Sequence, residues 1–164
     1  MEYVRELLRI LAALHEGGVE YVLIGGAALN VHGLVRATQD VDLFIPPERE
    51  NVERLKQALR SLWDDPHIDE ISADDLLGDY PAVRYGPPVG NVFLDILTRL
   101  GEAVRYEDLE AEEVVLEDTP VRVATPRTLY RLKRDTVRPI DRADALALRE
   151  TFDVEDVDEE PDGR

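Results

Sequence analysis

The stretch YVLIGGAALNVHGLVRATQDVDLFI, from Tyr21 to Ile45, constrains what this chain can fold into more tightly than any other. Tyr21 to Ile24 is a short apolar, β-favouring run that stops at Gly25-Gly26, as a strand entering a tight turn does. Ala27, Ala28 and Leu29 then favour helix, and Gly33 supplies a stop. After a basic loop, Gln39 to Ile45 opens by alternating polar and apolar residues, the period of a strand. Side chains at i and i+2 of a strand share a face, about 6.6 Å apart along the chain. Asp40 and Asp42 are therefore expected to point the same way, beside the glycine turn.

Two like charges on one strand face are costly unless a cation sits between them. Hard divalent cations such as Mg²⁺ take oxygen ligands, usually one or two carboxylates plus phosphate oxygens. Backbone without Cβ atoms lets a triphosphate come close, and a helix N-terminus adds amide donors. The stretch thus offers two parts of a phosphoryl-transfer site, a phosphate cradle and a metal-binding pair. Glycine pairs mostly mark turns, and most Asp-x-Asp pairs are solvated strand faces. Their ordered combination on a strand–helix–strand unit is far more specific.

The pattern Gly25-Gly26, Gly33, Arg36, Thr38, Asp40, Asp42 resembles the polymerase β-like nucleotidyltransferase superfamily, and most closely its small prokaryotic members, the AbiEii-like toxins and their relatives. The resemblance spans roughly residues 5 to 150 and is strongest in this stretch. It implies that a helix after the glycine turn presents the triphosphate and that the Asp-x-Asp strand binds two divalent metals. A third carboxylate is then expected from a later strand. Many members of the wider superfamily carry a phosphate-contacting serine where this chain has Gly26. Gly-Gly reads as a subgroup mark that leaves those contacts to backbone amides.

Composition narrows the setting. At 164 residues the chain fits one domain with a real core, and no apolar run approaches a membrane span. The start Met1-Glu2-Tyr3 lacks a basic signal-peptide region, and the absence of cysteine excludes disulfides and thiolate metal sites. A cytoplasmic protein is the expectation. Thirty-six acidic residues face nineteen basic ones, for a net charge of -17, and Lys56 and Lys133 are the only lysines. Such a surface suits concentrated salt, where screening removes self-repulsion, so a salt-adapted or high-GC source is expected, with a merely acidic bacterial protein as the alternative. The bulk charge argues against broad, non-specific nucleic-acid binding.

The remaining elements read as follows. Tyr3 to Glu16 places Val4, Leu7, Leu8, Leu11 and Leu14 at helical spacing, with Gly17-Gly18 as the stop and a structural role. His32 reads as a helix-end surface residue, Arg36 as a partner for phosphate or Asp42, and Thr38 as a hydrogen-bond donor to a carboxylate. Asn51 to Trp63 is an amphipathic helix, His67 to Asp79 a short helix and loop, and Ala82 to Tyr85 a short strand. Asn91 to Thr98, NVFLDILT, is a central strand interrupted by Asp95. A lone buried carboxylate costs several kcal/mol unless paired or metal-bound. A salt bridge with Arg36 or Arg99 is one reading; the other, which the resemblance implies, makes Asp95 the third metal carboxylate.

Glu112 to Leu116 and Val121 to Val123 suggest a hairpin around residues 117–120. Thr125-Pro126 caps a helix carrying Lys133, which by resemblance approaches the triphosphate, and Arg131, Arg134 and Arg138 form a basic cluster suited to a polyanionic acceptor. Asp141 to Thr151 is a last helix, whose Asp144 either orients Lys133 or Arg138 or is a plain surface acid. Residues 1–152 form the domain and 153–164 an acidic tail expected to be disordered.

The expected fold is α/β (α+β), a small, twisted mixed sheet with helices mainly on one side. The expected reaction moves a nucleoside monophosphate from an NTP to a hydroxyl and releases pyrophosphate. Asp40, Asp42 and Asp95 would hold two Mg²⁺ ions, or Mn²⁺ in their place, and Gly25, Gly26, Arg36, Thr38 and Lys133 would bind the nucleotide. The acceptor is a tRNA end, a protein hydroxyl or a small molecule, with a cognate antitoxin as a possible protein partner. Two other classes fit the residues: a catalytically idle binding or antitoxin protein on the same scaffold, and a Mg²⁺-dependent phosphohydrolase.

Overall fold

Leu7, Ile10, Leu11 and Leu14 form the buried stripe of the first helix, α1 (Glu2–Glu16). The computed structural model describes residues 2–34, 37–101, 104–134 and 139–154. After α1 come β1 (Val22–Ile24), α2 (Gly25–Val31), β2 (Asp40–Phe44), α3 (Arg49–Leu62) and α4 (Ala73–Leu77). The second half runs β3 (Ala82–Tyr85), β4 (Phe93–Leu97), β5 (Arg99–Leu100), β6 (Val104–Arg105), β7 (Ala111–Leu116), β8 (Thr119–Ala124), α5 (Pro126–Arg134) and α6 (Pro139–Phe152). The architecture is the mixed α/β arrangement that the sequence predicts.

Six strands form one sheet in the order β3-β4-β2-β1-β8-β7, and β5 and β6 pair separately. The β2–β4 and β1–β8 pairs are parallel; β1–β2, β3–β4 and β7–β8 are antiparallel. Alternation decides which residues each face receives. Val41 and Leu43 of β2 and Leu94 and Ile96 of β4 are fully buried on one face, so Asp40, Asp42 and Asp95 share the other.

Helix α3 is tied to the sheet by a side chain. Asn51, fully buried, accepts from the Glu20 N–H through Oδ1 and donates from Nδ2 to the Glu20 carbonyl, both at 2.8 Å. This pair satisfies the backbone just before β1 much as a ladder partner would.

Several boundaries differ from the periodicity reading. Helix α3 starts at Arg49, and Trp63 lies just beyond its end. The hairpin turn is confined to Glu117 and Asp118, both with positive φ (46° and 70°), so Thr119 and Pro120 belong to β8. In α6 the inward residues are Ala145 and Leu148, whereas Leu146 is exposed. The β5–β6 pair carries no sequence pattern that announces it. Val154 is buried, and the expected acidic tail from residue 155 onward lies outside the described residues. No described helix is long and apolar enough to cross a membrane.

Candidate active site

Strand register builds the site. Asp42 pairs with Asp95 across the parallel β2–β4 ladder, and Arg84 pairs with Asp95 across the antiparallel β3–β4 ladder. Residues paired on adjacent strands stand side by side, about 4.8 Å apart. One row across the sheet therefore reads Arg84, Asp95, Asp42, and ends at Ile24 beside the glycine pair. The next row sets Phe93 beside Asp40. Asp40, Asp42 and Asp95 each present a carboxylate oxygen within 4.8 Å of the other two. The row borders an open cleft of about 400 Å³ lined by Ile24, Asp42, Arg84, Asp95 and Leu97 among others. A wider hollow of about 680 Å³, lined by Tyr21, Tyr106 and Arg122 among others, lies toward the opposite end of β1, away from the carboxylates.

Asp42 is the deepest of the three electrostatically. Burial first, then Asp95 and Asp40, pushes its carboxyl from 3.8 up to about 7, with Lys133 acting in the opposite direction. Repulsion of this kind is what a divalent cation relieves, and three carboxylates within ligating distance are a hard oxygen donor set. The residues present therefore fit Mg²⁺ or a similar ion.

The glycine pair is shaped around these acids. Gly25 has φ +72°, and a Cβ there would overlap Asp42 Oδ2. A Cβ at Gly26 would meet Thr38 Cβ at 3.0 Å and its Oγ1 at 3.2 Å. A serine at position 26 would crowd Thr38, which gives Gly-Gly a local reason here. The helix that follows, α2, begins at Gly25 itself and has only two turns. Thr38 does not reach a carboxylate, as the sequence suggests it should. Its Oγ1 accepts from the Asp40 N–H at 3.1 Å, a local turn that fixes the start of β2.

On the far side, Lys133 Nζ lies 3.1 Å from Asp144 Oδ2, both side chains nearly buried between α5 and α6. Of the two readings of Asp144, the structure bears out the Lys133 partner. Thr125 caps α5 through a 3.2 Å bond from the Thr128 N–H, as its sequence predicts. Arg36 and Arg138 lie outside the described residues, and Arg131 lies on α5.

Asp95 needs correction in two respects. It is half-open rather than enclosed, because the face of β4 that carries it forms the cleft floor. Among the described residues its partner is not Arg99 but Arg84, whose Nε donates to Asp95 Oδ1 at 2.9 Å and whose Nη2 donates to Oδ2 at 3.1 Å; the Arg36 reading falls outside the described residues. His32 is corrected as well. Its side chain is only 8% exposed, Nε2 is 2.8 Å from the Ala124 carbonyl, and its ring meets Phe152 edge-on. The short α2 ends against β8, which half-buries its last turn.

Two residues of the site have no signal in the sequence. Arg84 sits in a four-residue run whose Val83/Tyr85 alternation reveals a strand but not its register with β4. Tyr3, on a helix read as purely structural, donates from its hydroxyl to the Asp40 carbonyl at 2.9 Å. Burial, Asp42 and Asp40 all raise its pKa, so the phenol stays protonated and the bond intact.

Comparison with known proteins agrees with this geometry. The family model described as nucleotidyl transferase AbiEii toxin, type IV TA system, matches residues 7–155. No curated protein matches. Among solved structures, an antigenic nucleotidyltransferase-like protein from Paracoccidioides brasiliensis superposes with TM-score 0.59 at 17% identity, over 91% of this chain and 76% of that one. ANT(2″)-Ia in complex with adenylyl-2″-tobramycin gives TM-score 0.57 at 18% identity, over 91% and 88%. A putative nucleotidyltransferase from Thermotoga maritima gives 0.55 at 13% identity, over 93% of both chains. At these identities the likeness is one of fold.

Proposed function

Since the chain belongs to the nucleotidyl transferase AbiEii toxin family of type IV toxin–antitoxin systems, we propose that it transfers a nucleoside monophosphate from an NTP to a hydroxyl acceptor. The observation that carries this reading is the convergence of Asp40, Asp42 and Asp95 to within ligating distance of one another beside Gly25, with Asp42 and Asp95 lining one cleft. In the reaction the acceptor oxygen bonds to the α-phosphorus, the bond to the β-phosphate oxygen breaks, and pyrophosphate leaves.

Asp40, Asp42 and Asp95 would hold two Mg²⁺ ions, or Mn²⁺. Bound there, the ions would lower the pKa of the acceptor hydroxyl and neutralise charge on the leaving group. The chain's own residues divide the remaining work. Backbone amides at Gly25 and Gly26 would bind the triphosphate, where the lack of Cβ atoms lets it approach. Lys133 would supply a point charge to the phosphates, oriented by Asp144, and Arg36 would add a fork. Thr38 would act indirectly, holding Asp40 in place through its backbone. An Asp95 carboxylate oxygen, on the cleft floor, would take the acceptor proton.

The acceptor is a tRNA end, a protein hydroxyl or a small molecule. A structurally similar protein is in complex with adenylyl-2″-tobramycin; by analogy with toxin-type relatives the reading favours tRNA or protein over a small molecule, with a cognate antitoxin as partner. The cysteine-free composition suits the cytoplasm. A second reading, an idle scaffold that binds a partner, draws on Arg84, which already neutralises part of the triad.

Titrating each NTP calorimetrically with Mg²⁺ and without, into the wild type and Asp40→Ala/Asp42→Ala, separates the two. Metal-dependent nucleotide binding that the double variant loses is the expected result. A well-folded wild type that binds no NTP in low or molar salt would leave the scaffold reading standing.

A further inference from the structure

A cation of the protein's own already stands against two of the three carboxylates. The Arg84 fork engages both oxygens of Asp95, at 2.9 and 3.1 Å, and its Nη2 lies 3.3 Å from Asp40 Oδ2. The same guanidinium rests over the Phe93 ring, with Cζ 4.9 Å from the centroid. Gly86 makes room for that ring, since a Cβ there would meet Phe93 Cε1 at 3.0 Å. Phe93 is 38% exposed, on the row of Asp40. The head of Arg84 thus has two supports, the carboxylates inside and an aromatic face at the rim.

A divalent cation bound by Asp40, Asp42 and Asp95 needs oxygens that the fork now holds. We propose that Arg84 is a placeholder for the divalent cation, a positioning residue that holds Asp40 and Asp95 in ligating positions when no metal is bound and releases Asp95 when one arrives. The guanidinium then stays on the Phe93 ring, so its cost of leaving is small. This assignment rests on the metal reading of the triad given above.

The test compares wild type, Arg84→Gln and Arg84→Lys by calorimetric titration with Mn²⁺, and by melting in chelator and in Mg²⁺. Arg84→Gln should bind Mn²⁺ roughly fivefold more tightly, as expected for losing one partly exposed ion pair. It should melt below wild type in chelator, with the gap closing in Mg²⁺. Arg84→Lys should bind as tightly as Arg84→Gln, because an ammonium keeps the charge but cannot grip two oxygens as a fork does. If the affinity of Arg84→Gln is unchanged or weaker and its melting deficit is equal in both buffers, Arg84 is an ordinary cross-strand salt bridge and the placeholder is wrong. Tight binding by Arg84→Gln with wild-type affinity in Arg84→Lys also overturns it, in favour of through-space charge. No Mn²⁺ binding by any of the three proteins would sink the metal reading itself, and the placeholder with it.

Discussion

Asp42 is held in a position where its charge is unwelcome, and the pH dependence of stability should report this. Its folded value of about 7 lies above the ordinary 3.8, so the native state binds the proton more tightly than the unfolded chain does. The stability this group contributes is complete below about pH 4 and is lost as the pH rises through about 7. Asp42→Asn carries no charge at any pH. In chelator it should therefore melt about 2–6 °C above wild type at pH 8 and level with it at pH 4. Added Mg²⁺ should raise the wild type and leave the variant where it is. Equal melting of the two proteins at pH 8 in chelator would show that Asp42 bears no such burden. Much of this was legible in the sequence, because i and i+2 on a strand share a face whatever else the chain does. Arg84 was not, because the register of β3 against β4 depends on a connection, 86–92, that no local rule fixes. Tyr3 escaped for a related reason, since a helix pattern identifies the buried stripe but not the strand end that one tyrosine will reach.

At the scale of elements, apolar periodicity was a sound guide where burial is one-sided. It located α1, α3, β2, β4 and α5 to within a few residues. It failed where polar groups do the fixing. Asn51 looks like any polar residue on an amphipathic helix, yet it carries both hydrogen bonds that join α3 to the backbone at Glu20. Removing it takes the partner from the Glu20 N–H and carbonyl, which are part-buried, and a group left unsatisfied out of water costs about 1–3 kcal/mol. Asn51→Ala should lower stability by about 2–4 kcal/mol in denaturant titration, whereas Asn51→Asp, which keeps the acceptor, should retain part of it. A loss under about 1 kcal/mol would mean that water replaces the side chain at Glu20. The β7–β8 turn shows the same limit. Glu117 and Asp118 both take positive φ without a glycine, so the sequence offered a turn but not its two-residue form.

For the whole molecule, the decisive quantity is the net charge of -17 on 164 residues. Salt acts on it in two opposing ways. It screens the mutual repulsion of the acids, which favours the compact state, and it weakens attractive pairs such as Arg49–Asp74 at 2.6 Å and Arg60–Asp69. Those pairs are largely exposed, and such pairs contribute about 0–1 kcal/mol each. Repulsion is shared by every acid without a partner, and shortening the screening length from about 10 Å at 0.1 M to about 3 Å at 1 M removes most of it. Repulsion should therefore decide the sign. Trp63, the sole tryptophan, is buried near the Tyr85 ring and gives a fluorescence signal for unfolding. In chelator, where the triad cannot gain from Mg²⁺, the midpoint should rise by about 5 °C or more between low salt and about 2 M KCl. Chloride salts of different cations should act alike if screening is the cause. A flat or falling midpoint would show that the paired charges already neutralise the surface, and the reading of this composition as salt adaptation would fall.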